Sequence, residues 1–126
     1  MNPHYNMLIV DDERLVADSL RSLDEWADKK IRVVGTALNG KEALEWIERE
    51  SIDIVITDIQ MPDMNGLELL ETLHTHNPDI AVVIISGYEQ FQYVRTALKF
   101  KAKGYVLKPI DLDELLEVMD SIIHEE

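Results

Sequence analysis

The chain has 126 residues, no cysteine and a formal net charge of −13 at pH 7. That length suits one domain with a real hydrophobic core, and the lack of cysteine excludes disulfides and thiolate metal sites. The acidic balance argues against direct nucleic-acid binding, and no apolar run nears the roughly 20 residues that a membrane span needs.

Residues 1–5 read as an N-terminal tail, without the basic start and apolar core of a signal peptide, so a cytoplasmic address is expected. Met7-Leu8-Ile9-Val10 is the first strand, closed by Asp11 and Asp12. Val16, Leu20, Leu23 and Ala27 then recur at helical spacing and predict one helix. Ile31-Arg32-Val33-Val34 is the second strand and Ala37-Leu38-Asn39-Gly40 a turn. Ala43, Leu44 and Ile47 mark the second helix, with Trp46 as a partly buried neighbour.

The third strand covers about Asp53 to Thr57 and is closed by Asp58. Met61-Pro62-Asp63-Met64-Asn65-Gly66 is a loop, because Pro disfavours helix before it and Asn-Gly favours a turn. Leu69, Leu70 and Leu73 lie on a third helix that stops near Asn77-Pro78. Ile80 to Ile85 is apolar on both faces, as a central parallel strand should be, and Ser86 closes it. Phe91, Val94, Ala97 and Leu98 form the expected buried face of a fourth helix. Tyr105-Val106-Leu107 is the last strand, followed by Lys108. Asp111 with Glu114 can form a capping box for a final helix with Leu115, Met119 and Ile122 inward.

Alternating strands and helices predict βα units on a parallel sheet, whose carboxyl ends share one edge. Asp11, Asp12, Asp58, Ser86 and Lys108 would then converge. Taken singly each has an ordinary reading: Asp11 as a helix cap, Asp58 as a turn residue, Ser86 as an N-cap, Lys108 as a solvated lysine. Together they suit a hard divalent cation and a phosphoryl group. Mg²⁺ takes oxygen ligands and is usually held by one or two carboxylates plus a phosphate. Asp12 and Asp58 are the direct ligands in this reading, Asp11 acts through water, and a carbonyl near Gln60 completes the protein share. Asp58 is the nucleophile, and needs no general base because it is already ionised at neutral pH. His74 and His76 sit two apart on a helix and cannot share a metal; Trp26 and Trp46 are core packing.

The stretches Leu8-Ile9-Val10-Asp11-Asp12-Glu13, Asp58 through Gly66, Ser86-Gly87-Tyr88 and Tyr105-Val106-Leu107-Lys108-Pro109 resemble the receiver domain of two-component response regulators, over essentially the whole chain. The resemblance implies a doubly wound five-stranded parallel sheet in the order 2-1-3-4-5, flavodoxin-like, with helices on both faces. It implies that Asp58 accepts phosphate from a sensor histidine kinase. Mg²⁺ would be held by Asp11, Asp12, Asp58 and the Gln60 backbone carbonyl. Ser86 corresponds to the switch hydroxyl and Tyr105 to the switch aromatic. Their movement would reshape the surface of the fourth helix, fifth strand and last helix, where partners or a second receiver dock as a homodimer. Lys108-Pro109 is expected to be cis, and Tyr88 to lie beside the site.

The family often has Gly where Lys101 stands, which predicts a left-handed, mildly costly cap there. Ser86 through Phe91 with Tyr93-Val94 and Ala97-Leu98 is most similar to receivers joined to AraC-type helix-turn-helix output domains. The chain is then one receiver domain, residues 1–126, from a longer regulator whose output domain contacts DNA. It would catalyse only its own phosphorylation and dephosphorylation. Alternatives are a stand-alone receiver acting on a protein partner, a degenerate receiver, and a Mg²⁺-dependent aspartyl-phosphate phosphohydrolase. The last wants a second Asp two residues after the nucleophile, where Gln60 stands. A flavodoxin-like flavin binder would need a phosphate-cradling loop where Asp11-Asp12-Glu13 would repel one.

Overall fold

A computed structural model describes residues 4–87 and 90–124. Tyr88 lies outside the described residues. Five strands, β1 (Tyr5–Val10), β2 (Ile31–Ala37), β3 (Ile54–Asp58), β4 (Ala81–Ser86) and β5 (Gly104–Leu107), form one sheet in the order β2-β1-β3-β4-β5. All four pairings are parallel, as the sequence predicts. Among the described residues six helices connect and follow them: α1 (Arg14–Arg21), α2 (Glu25–Asp28), α3 (Gly40–Arg49), α4 (Gly66–His76), α5 (Phe91–Lys99) and α6 (Leu112–Ile123).

Side chains alternate across each strand and so build two cores. Met7, Ile9, Ile54, Ile56, Val83, Ile85 and Val106 meet α1, Trp26 and α6 through Ala17, Leu20, Leu115, Met119 and Ile122. Leu8, Val10, Val55, Val82 and Ile84 meet α3, α4 and α5 through Ala43, Leu69, Leu70, Leu73 and Ala97 on the other face. β3 and β4 are buried along their whole length, which explains their unbroken apolar sequence. No helix among the described residues is long and apolar enough to cross a membrane.

Several elements differ from expectation. Tyr5 is not tail: its N–H donates to the Lys30 carbonyl at 2.9 Å and it opens β1. The single helix expected through Ala27 breaks at Ser22. There Trp26 turns into the core, donating its indole N–H to the Leu20 carbonyl at 2.7 Å, and Ala27 is left exposed. β2 continues past Val34 to Ala37, with a register shift opposite Met7/Leu8. Gly35 allows this, because a Cβ there would lie 2.5 Å from the Trp46 ring.

The largest correction concerns α5. Ala97 is buried, but Phe91 is 77% and Leu98 72% exposed. The face turned to the sheet carries Tyr93, Ala97 and Phe100 instead, so the second apolar stripe points outward. Helix ends follow local chemistry. Asn65 and Glu68 form a complete capping box on α4, while at α6 the Asp111 carboxylate accepts the Glu114 N–H at 3.2 Å. Lys101 adopts φ 61° after α5, where the Ala102 N–H reaches the Ala97 carbonyl at 2.9 Å in the pattern of a Schellman cap.

Candidate functional site

Parallel strands bring their carboxyl ends to one edge, where open α/β sheets bind ligands. Asp11 and Asp12 follow β1, Asp58 ends β3, Ser86 ends β4 and Lys108 follows β5. Backbone pairing holds these ends in place. The Asp11 N–H donates to the Ala37 carbonyl at 3.0 Å, and the Lys108 N–H to the Ser86 carbonyl at 2.8 Å. The Lys108–Pro109 bond is cis, as expected.

Behind Asp58 the chain doubles back closely. The Gly66 N–H donates to the Ile59 carbonyl at 2.9 Å, and a Cβ at position 66 would sit 2.0 Å from the Asp58 carbonyl oxygen. Only glycine fits there, so α4 starts hard against the end of β3. The Asn65-Gly66 pair announces a turn in the sequence but not this close approach.

One carboxylate oxygen from each of Asp11, Asp12 and Asp58 lies within 4.8 Å of the others. Asp11 is buried at 3% exposure and Asp58 nearly so at 9%, whereas Asp12 is exposed. Asp11 accepts the Glu13 N–H through Oδ1 at 2.8 Å, and Asp58 accepts the Ile59 N–H through Oδ1 at 2.8 Å. The Lys108 ammonium lies 3.2 Å from Asp58 Oδ2, 3.5 Å from Asp11 Oδ2 and 3.7 Å from Glu13 Oε1.

Burial is the largest influence on Asp11. It pushes the carboxyl pKa up, helped by Asp58 and Glu13, and outweighs the Glu13 N–H and Lys108, which act the other way. Burial alone would lower the Lys108 pKa, but the carboxylates of Asp11, Asp58 and Glu13 together hold it above the usual lysine value. The cation is therefore locked in its charged form, and the three aspartates remain in excess over it. An all-oxygen donor set with surplus negative charge fits a hard divalent cation such as Mg²⁺ and no soft metal.

A cleft of about 500 Å³ opens over these groups, lined by Asp12, Glu13, Asp58, Gln60, Gly87 and Lys108. Ser86 is buried at the end of β4, which pairs with β3 so that Asp58 faces Ile85. Tyr105 is half-buried on β5, opposite Ile84. Glu13 was legible only as part of an acidic run; its N–H and carboxylate both serve the site. Tyr93 is the other residue missed. Its hydroxyl accepts from the Gln60 side-chain amide at 3.5 Å, and no spacing rule in the sequence links the two.

The family model of the response regulator receiver domain matches residues 7–120. The chain is 36% identical over 121 residues to YesN, an uncharacterized transcriptional regulatory protein of Bacillus subtilis, covering 96% of this chain and 33% of that protein. It spans a third to about half the length of the curated relatives it matches. The receiver domain of AraT, a response regulator from Geobacillus stearothermophilus, superposes with TM-score 0.89 at 32% identity, covering 98% of this chain and 95% of that one. A CheX-CheY-BeF3-Mg complex from Borrelia burgdorferi contains a chain that superposes with TM-score 0.82 at 30% identity, covering 94% of this chain and 88% of that one. A match of this extent, on this fold, makes the chain a member of the response regulator receiver domain family.

Proposed function

We propose that this chain is the phosphoacceptor of a two-component system, taking a phosphoryl group from a sensor histidine kinase onto Asp58. One observation carries the reading. Asp11, Asp12 and Asp58 present carboxylate oxygens within 4.8 Å of one another, and the Lys108 ammonium lies 3.2 Å from Asp58. That a complex containing a similar chain also holds BeF3 and Mg supports the same chemistry.

An Asp58 carboxylate oxygen bonds to phosphorus as the bond from phosphorus to the kinase imidazole nitrogen breaks. The imidazole keeps the electron pair and takes a proton from solvent, and Asp58 becomes an acyl phosphate. Such a transfer needs positioning and charge neutralisation more than covalent help. Lys108 holds one phosphoryl oxygen, and the Ser86 hydroxyl or nearby amides hold another. Asp11, Asp12, Asp58 and the Gln60 backbone carbonyl would hold Mg²⁺. When bound, that ion neutralises charge on the phosphoryl group.

After transfer, Ser86 moves toward the phosphoryl oxygens and Tyr105 turns into the space left, a local charge event that biases a two-state element. The readout surface is α5, β5 and α6. Phe91 and Leu98 are exposed on it, and residues 90–110 hold Arg95, Lys99, Lys101, Lys103 and Lys108 but no acid. Asp113, Glu114 and Glu117 are exposed on α6. A second copy related by a two-fold axis can set these cations against those acids, so this face is the proposed homodimer contact. DNA contact and transcriptional output belong to the rest of a longer, cytoplasmic regulator.

The test is intact mass after incubation with Mg²⁺ and acetyl phosphate. One phosphoryl addition, lost on chelation and in Asp58→Asn, is the expected result. No addition overturns the reading, and steady release of many phosphates from a phosphate ester favours the phosphohydrolase instead.

A further inference from the structure

Gln60 lies in the loop after β3 and lines the cleft over Asp58. Tyr93 lies in the first turn of α5. The Gln60 Nε2 donates to the Tyr93 hydroxyl at 3.5 Å. The two residues are held very differently. Gln60 is exposed, while the Tyr93 ring packs on the buried cluster around Val10, Ile84 and Ala97, which Met61 also joins. The hydroxyl is therefore placed by core packing, and the glutamine amide is the partner that has to be fixed. With its NH₂ turned toward Tyr93, the carbonyl end of the planar amide is the end left to accept from a water in the cleft.

We infer that Tyr93 is a positioning residue that holds the Gln60 side chain over the cleft and thereby sets how fast the acyl phosphate on Asp58 is hydrolysed. The inference rests on the phosphoacceptor reading above. In that hydrolysis the oxygen of water bonds to phosphorus, and the bond between phosphorus and the Asp58 carboxylate oxygen breaks. Asp58 recovers its carboxylate, and inorganic phosphate leaves with the protons of the water. A held glutamine carbonyl orients the water, while a free one spends most of its time elsewhere. Because Tyr93 is on α5, a partner that shifts this helix also alters the lifetime of the signal.

The experiment loads the protein with Mg²⁺ and acetyl phosphate, removes the donor, and follows the decay of the phosphorylated mass. Tyr93→Phe, Gln60→Ala and the double variant are compared with the unaltered chain, each checked for an unchanged far-ultraviolet spectrum and melting temperature. Loss of one hydrogen bond predicts a lifetime longer by about threefold or more in each single variant. The double variant should decay no more slowly than the slower single variant, because both substitutions remove the same held amide. An unchanged lifetime in Tyr93→Phe, or effects that multiply in the double variant, overturns the inference while leaving Asp58 as the acceptor. Failure of the unaltered chain to take up phosphate overturns the phosphoacceptor reading, and the inference with it.

Discussion

Helices α4 and α5 pack on the same face of the sheet and are fastened to it in opposite ways. α4 buries Leu69, Leu70 and Leu73, has a complete capping box, and begins at Gly66 against the Asp58 carbonyl. α5 buries only Ala97, has no side-chain cap at Gln90, and ends in a left-handed lysine. Its outer stripe, Phe91 and Leu98, is exposed. One helix is scaffold for the strand that ends in Asp58. The other is the weakly held element through which a change at the site can reach the surface, as low local stability requires of a moving part.

The two helices should differ most in what their leucines contribute. Leu70→Ala in α4 should cost about 2–5 kcal/mol in urea unfolding, because it leaves a cavity under a fully buried side chain. Leu98→Ala in α5 should change stability by no more than about 0.5 kcal/mol. Equal costs would mean that α5 is packed as firmly as α4.

Caps give the next largest contrast. Asn65→Ala removes the bond to the Glu68 N–H and should cost about 1 kcal/mol. Gln90→Asp adds a cap where none bonds, and should stabilise by a similar amount while slowing amide exchange in α5 but not in α4. Lys101→Gly should raise stability by roughly 0.5–1 kcal/mol, since glycine takes φ 61° without a Cβ penalty. A loss of stability there would show that the Lys101 side chain makes contacts worth more than the backbone strain.

The smallest test concerns the site itself. Asp11 has its pKa raised above 3.8 in the folded chain, so the folded state binds more protons than the unfolded state between 3.8 and that raised value. Stability without metal therefore falls as pH rises through that interval, and the charged Asp11 is a net cost at neutral pH. Asp11→Asn should raise the melting temperature in chelator at pH 7 and flatten this limb, and should lose most of the stabilisation that Mg²⁺ gives the unaltered chain. A lower melting temperature in chelator would contradict this.

The parallel strands and most of the candidate site residues were legible because each rests on local, repeated signals, whereas the strand order came only from the resemblance to the receiver family. Apolar runs closed by Asp11-Asp12, Asp58, Ser86 and Lys108 mark strand ends, and parallel topology does the rest. Burial along α5 was not legible. Phe91, Val94, Ala97 and Leu98 have helical spacing, but so do Tyr93, Ala97 and Phe100, and periodicity cannot say which of two apolar stripes meets the sheet. The break after α1 was hidden because Trp26, next to Ala27 in sequence, competes for the same buried place. The contact of Gln60 with Tyr93 joins residues 33 apart in sequence and has no local signal at all.

The proposed phosphoryl transfer to Asp58, beside Asp11, Asp12 and Lys108, is the step on which the rest depends. Borohydride reduces an acyl phosphate to an alcohol, so protein loaded with Mg²⁺ and acetyl phosphate, then reduced and mapped by peptide mass, reports the modified residue directly. Homoserine at position 58 alone, absent without Mg²⁺ and strongly diminished in Lys108→Ala, is the predicted result. Modification at another residue, or at Asp58 to the same extent in chelator, would contradict it.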